Sequence, residues 1–117
     1  MRGVNKVILV GSLGADPIMK HFPNGSQYAQ FSIATSERWQ DQRSGEWREN
    51  TEWHRIVAHG RLGEIAVQYL KKGAKVYIEG SLHTRKWTDE KRVERYLTEV
   101  KAIQLQMLDT QPIANPI

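Results

Sequence analysis

Cysteine is absent from the 117 residues. Neither a disulfide framework nor a thiolate metal site is therefore open to this chain, which suits a reducing compartment. No apolar run is long enough to span a membrane. The charged start, Met1-Arg2-Gly3-Val4-Asn5-Lys6, leads into no apolar segment with a cleavage site. A soluble cytoplasmic protein is expected. Enzyme signatures are missing as well: no cysteine nucleophile, no phosphate-cradling glycine loop, no Gly-x-Ser-x-Gly elbow and no zinc-protease motif. Glu46, Glu49 and Glu52 are interspersed with basic residues and form no acidic cluster suited to a two-metal nuclease. His54 and His59 stand an odd number of residues apart on one predicted strand, so they face opposite sides and cannot share a metal. His21 and His83 belong to other elements. No catalysis, metal or cofactor is expected.

What is present is a modest positive balance, +4, which permits a nucleic-acid partner without establishing one. The four tryptophans say more. Trp39, Trp47, Trp53 and Trp87 each have charged residues within two positions, whereas a core indole usually has apolar neighbours. The stretch Thr51–Leu62 reads as a strand that ends at Gly60 and passes into a helix. Alternation puts Thr51, Trp53, Arg55, Val57 and His59 on one face, and Glu52, His54, Ile56 and Ala58 on the other. Ile56 and Ala58 suit a core. Trp53, Arg55 and His59 make a surface on which planar groups could stack beside negative charge.

Around that stretch the chain forms one domain with no visible repeat or linker. Val7-Ile8-Leu9-Val10 is a continuous apolar run, which predicts a strand buried on both faces. Asp16-Pro17 and Pro23-Asn24-Gly25 mark turns. Over residues 27–36, Ala29, Phe31 and Ile33 alternate with Tyr28, Gln30 and Ser32, the first set inward. A polar hairpin tip spans Gln40 to Arg48. Leu62, Ile65, Ala66, Tyr69 and Leu70 recur at helical spacing. Glu64 and the Lys71-Lys72 pair suit the two ends of the helix dipole, and Gly73 is the expected cap. Two more strands follow, joined by a charged tip over Thr88–Arg92. The order of three strands, one helix and two strands predicts an all-β, five-stranded Greek-key barrel of OB-fold type, with its helix between strands 3 and 4. Residues 1–108 form this domain, and 109–117 are expected to be a flexible tail.

The segments Arg2–Gly11, Pro23-Asn24-Gly25, Ala34-Thr35-Ser36, Thr51–Arg55, Val76–Gly80 and Thr84–Asp89 resemble, in order and spacing, the bacterial single-stranded DNA-binding protein family. The resemblance implies a homotetramer that binds single-stranded DNA without sequence preference in replication, recombination and repair. It also implies base stacking on Trp39, Trp53 and Trp87. His54 and Tyr77 are implied at subunit contacts, and Lys6, Arg55, Arg85 and Lys86 near the DNA path. His59 stands where the family commonly has a stacking phenylalanine. Trp47 is less typical at its position and is a candidate extra stacking ring. Family members usually end in an acidic tip that recruits replication and repair enzymes. Here the last acidic residue is Asp109, so recruitment is doubtful. A dimeric OB-fold adaptor and an RNA-binding OB-fold of cold-shock type are the alternatives.

Overall fold

The structure is a computed structural model that describes residues 1–109. The predicted tail beyond Asp109 lies outside the described residues. Six strands and one helix follow in the order β1 (Val7–Leu13), β2 (Ile18–His21), β3 (Gln27–Gln40), β4 (Trp47–His59), α1 (Gly60–Tyr69), β5 (Lys75–Thr88) and β6 (Glu94–Met107). They pair in the order β1-β5-β6-β4-β3-β2, and β1 also meets β3 at Ser12–Ala34 and Leu13–Ile33. That last contact closes β1, β3, β4, β5 and β6 into a five-stranded barrel. The helix lies between the third and fourth barrel strands, as the sequence predicts. β2 is an extra edge strand on β3, joined through the Pro23-Asn24-Gly25 turn. Its four residues alternate too weakly for sequence reasoning to find it.

The core is the inward set of these strands. Ile33, Ile56, Val76 and Ile78 are fully buried, with Ala29, Phe31, Ala58, Val100 and Ala102 around them. Each large aliphatic side chain of this set contributes roughly 1.5–3 kcal/mol by leaving water. The inward assignments of Ala29, Phe31, Ile33, Ile56 and Ala58 agree with the alternation. Val57 does not follow it. Although on the outer face, it is buried, because it sits in register between Gln30 of β3 and Lys101 of β6.

Three expectations need correction. β1 is not buried on both faces: Val7 and Leu9 pack against the core, while Ile8 and Val10 are exposed. Only one side of β1 meets the barrel, and no part of the described chain covers the other. Next, α1 stops at Tyr69. Leu70 turns into the core at 2% exposure, its N–H reaching the Ala66 carbonyl. Tyr69 is exposed, and Lys71, Lys72 and Gly73 belong to the following turn, where Asp16 accepts the Lys72 N–H at 2.8 Å. The helix carries no acidic residue in its first turn and no basic residue in its last, so the expected dipole pairing is not realised. Finally, the buried stripe of the helix includes Gly63, where a Cβ would lie 2.5 Å from the Ala58 carbonyl oxygen. The missing side chain lets α1 close the barrel end at backbone distance.

Candidate nucleic-acid interface

β3 and β4 pair without interruption from Tyr28–His59 to Gln40–Trp47. Opposed residues share a face, so this register fixes which side chains lie together. The outer face carries His59, Val57, Arg55 and Trp53 of β4 beside Tyr28, Gln30, Ser32 and Ala34 of β3. Beyond the barrel, it carries Arg38 and Trp47. The parallel contact of β4 with β6 joins Val57 to Lys101. β5 then adds Ser81, His83, Arg85 and Trp87 opposite Lys101, Glu99, Leu97 and Arg95. One surface therefore runs from Trp47 through Trp53 and Arg55 to Trp87.

None of the four indoles is buried: Trp39 is 45% exposed, Trp47 59%, Trp53 60% and Trp87 50%. They do not all share that surface. Trp39 lies opposite Arg48, on the same face as Glu52 and His54 and away from Trp53 and Trp47. The β3–β4 hairpin thus presents rings on both of its sides. Trp47 has the Arg38 guanidinium 4.9 Å above its ring, a cation–π contact that leaves its other face open. Trp53 leans over the loop after β1, where a Cβ on Gly14 would stand 2.5 Å from its ring. An open cleft of about 360 Å³ between Trp53, Gly14, Ile18, Lys20, Gln30 and Ser32 results.

The cations divide in a way the sequence does not show. Arg55 makes no ion pair among the described residues. It lines a second cleft, of about 500 Å³, with Arg85, Trp87, Arg95 and Tyr96. Arg85 grips Glu99 with two nitrogens, at 3.0 and 3.1 Å. Lys86 sits on the opposite face of the β5–β6 hairpin from Arg85 and pairs with Glu94 at 3.0 Å. Lys6, just before β1, pairs with Glu79 at 3.5 Å, on the far side of β5 from Arg55. The four basic candidates therefore do not form one groove.

His59 ends β4 beside Phe22, whose ring lies parallel to it at 6.0 Å, and Tyr28, 5.8 Å away. Burial holds the His59 imidazole below its usual value of 6.5. Nearby Lys101 and His83 push the same way, and Glu99 opposes them. His54, half-buried, hydrogen-bonds Thr35 Oγ1 at 2.8 Å within the chain. The Tyr77 hydroxyl donates to Glu79 at 3.0 Å, and that bond raises its pKa. Tyr77 stands in register with the exposed Val10.

Sequence reasoning missed the role of Glu99 and the Phe22–Tyr28 partners of His59. Glu99 is 6% exposed although charged, and nothing local marks it. Its burial depends on Arg85 from the neighbouring strand.

The sequence pattern of the Single-strand binding protein family matches residues 4–108. The chain belongs to this family. Similar solved structures agree. A Plasmodium falciparum SSB in complex with ssDNA shares 37% identity at a TM-score of 0.82, covering 93% of this chain and 98% of that one. A deletion mutant of the single-stranded DNA binding protein from Thermus aquaticus shares 31% identity at a TM-score of 0.78. It covers 95% of this chain, which spans 53% of the Thermus one. As in the family, the fold is an OB barrel, and the exposed indoles and Arg55 lie on its outer wall and hairpin arms.

Proposed function

We propose that this protein binds single-stranded DNA without regard to sequence, protects it in replication, recombination and repair, and acts as a binder rather than a catalyst. The observation that carries this is the surface shared by Trp53, Arg55 and Trp87. Every base has a flat face, so an exposed indole grips any sequence, and each stacked base contributes roughly 1–3 kcal/mol. Duplex bases already stack on one another, which directs the grip to single strands. Trp53 and Trp87 provide the central stacking positions, Trp47 extends them along the β3–β4 arm, and His59 is a further flat ring. Trp39 engages DNA that crosses to the other face of that arm. Arg55 neutralises phosphate directly, whereas Arg85, Lys86 and Lys6 do so by exchanging a carboxylate for it.

The protein assembles as a homotetramer, with His54 and Tyr77 at subunit contacts. Ile8 and Val10, 56% and 57% exposed on the uncovered face of β1, support assembly. Among the described residues no helix is long and apolar enough to cross a membrane, and the proposed site of action is the cytoplasm. Residues 1–108 serve as the binding domain.

Tryptophan fluorescence tests the proposal: oligo-dT should quench it strongly and duplex DNA of equal length weakly. Absence of quenching by oligo-dT would overturn it. Sedimentation at equilibrium tests the tetramer, and a dimer would favour the adaptor alternative.

A further inference from the structure

Past Arg55 the outer wall carries a group of basic side chains that stacking does not use. Lys101 of β6 stands in register with Val57 of β4 on one side and Ser81 of β5 on the other. His59 lies two residues past Val57, and His83 two residues past Ser81, so both share the face of Lys101. The two imidazoles and the ammonium make a diagonal line across three adjacent strands, and all three side chains are exposed. The His83 ring bonds Ser81 Oγ at 3.1 Å, which holds it along the sheet. The acids around this line are already taken. Glu99, in register with His83, meets two nitrogens of Arg85 at 3.0 and 3.1 Å. Glu79 is held by Lys6 and by the Tyr77 hydroxyl. Next to His59, Arg61 of α1 pairs with Glu64, and β3 brings the Tyr28 ring. His59, Lys101 and His83 form no ion pair among the described residues.

We propose that His59, Lys101 and His83 form a phosphate track that continues the DNA path past Arg55, and that its two imidazoles gain protons when the strand is bound. The inference rests on the single-stranded DNA function above and adds to it a set of backbone contacts and their regulation by acidity. A lysine keeps its charge at neutral pH, whereas an imidazole gains or loses its own there. Side by side on one face, like charges disfavour one another. Burial, then Lys101 and His83, hold the free His59 imidazole below its usual 6.5, so His59 meets the strand largely uncharged. A phosphodiester chain laid along the line reverses this. Its negative charges offset Lys101, and each imidazole beside them is favoured in its charged form. The grip therefore strengthens in mild acid without any new contact. Phosphates carry no sequence information, so the track stays blind to sequence, as the indoles are.

Titration of the full chain with oligo-dT, whose bases gain no proton in this range, tests the track between about pH 8 and 5 at fixed salt. Affinity should rise about tenfold over that span, roughly threefold from each imidazole, the worth of one exposed ion pair. His59→Gln and His83→Gln should each remove about half of the rise on a logarithmic scale, and the double variant should bind equally at every pH. Lys101→Gln should weaken binding throughout and reduce the slope of log K against log salt by about 0.7. A native profile flat with pH overturns the track while leaving single-strand binding intact. A double variant that keeps the native rise also overturns it, because His21 or His54 would then carry the effect. So does a native salt slope in Lys101→Gln. Failure to bind oligo-dT at any pH overturns the parent function instead. Should a variant not fold, calorimetry of the native protein in buffers of different ionisation enthalpy decides. Uptake of about half a proton per subunit near pH 6.5 supports the track, and no uptake overturns it.

Discussion

The two long hairpins of this barrel solve different halves of one task. Their tips use the same device. Asp41 accepts the Arg43 and Ser44 N–H groups and pairs with Arg48 at 3.0 Å. Asp89 accepts those of Lys91 and Val93 and pairs with Arg95 at 3.0 Å. These bonds hold both carboxyls below their usual 3.8, Asp41 chiefly through the Arg43 N–H and Asp89 chiefly through the Val93 N–H. Past the tips the arms diverge. β3–β4 carries Trp39, Trp47 and Trp53, with Arg55 unpaired among the described residues. β5–β6 carries Trp87 alone, and Arg85, Lys86 and Arg95 are each tied to a carboxylate. An indole needs no partner to stay in place, because its ring rests on the sheet. A long cation stays in place only when an anion fixes it. The first arm therefore offers flat surface, and the second offers aligned charge that a phosphate must win from a carboxylate.

If that contrast is right, disturbing the pairs should damage the second arm's stability first. Arg85→Met leaves Glu99 buried without its cation, at a cost of about 3 kcal/mol, the low end for breaking a buried pair. Lys86→Met breaks an exposed pair and should cost less than about 1 kcal/mol. Thermal melts of both variants check this, and equal losses would erase the distinction between the two cations. On the first arm the effect should fall on binding. Trp53→Ala should weaken oligo-dT binding by roughly 1–3 kcal/mol in fluorescence titration, with the melting curve little changed and Trp53→Phe recovering most of the affinity.

Salt sharpens the same contrast. Arg55→Gln should reduce the slope of log K against log salt by about 0.7, the value for one phosphate contact on a single strand. Lys86→Gln should reduce it less, since Glu94 already screens that charge. A smaller effect is expected from Gly14→Ala. The added methyl meets only the far edge of the Trp53 ring, so the ring swings aside. Stability should change by under about 1 kcal/mol, while oligo-dT affinity falls and the Trp53 emission shifts.

The least effect is that of pH. Burial and Lys101 keep His59 uncharged at neutrality, and an arriving phosphate favours the proton. Binding should therefore take up a proton and tighten as pH falls below the usual 6.5, with His59→Phe showing a flatter profile. The free protein responds the other way. The folded state holds this proton more weakly than the unfolded chain does, so the His59 contribution to stability is present above that pH and lost as pH falls through it. Calorimetric titrations in buffers of different ionisation enthalpy separate the two.

Much of the fold could be read from the chain. Ala29, Phe31 and Ile33 alternate with polar residues, Asn24-Gly25 marks a turn, and Leu62, Ala66 and Leu70 recur at helical spacing. Such periodicities are local, and they survive because one face must leave water. The exposure of the indoles was also legible, since charged neighbours in sequence leave them little apolar company. The uncovered side of β1 was not. Val7-Ile8-Leu9-Val10 looks the same whether its outer residues meet this chain or something else. Nor was the early end of α1, because Tyr69 and Leu70 both fit the stripe and only packing chose between them.

The sequence by itself determined the five barrel strands, the turns, the basic and aromatic character of the surface and the family. Tertiary structure decided which of those residues meet. It put Trp39 across the β3–β4 arm from Trp53, tied Arg85 to a buried Glu99, separated Lys86 from it and set Gln30 beneath the Trp53 cleft. The reason is the range of the forces concerned. Side-chain alternation is fixed by a residue's immediate neighbours, whereas the partner of a charge, or the wall opposite a ring, is supplied by a strand far away in the chain and exists only once the barrel has closed.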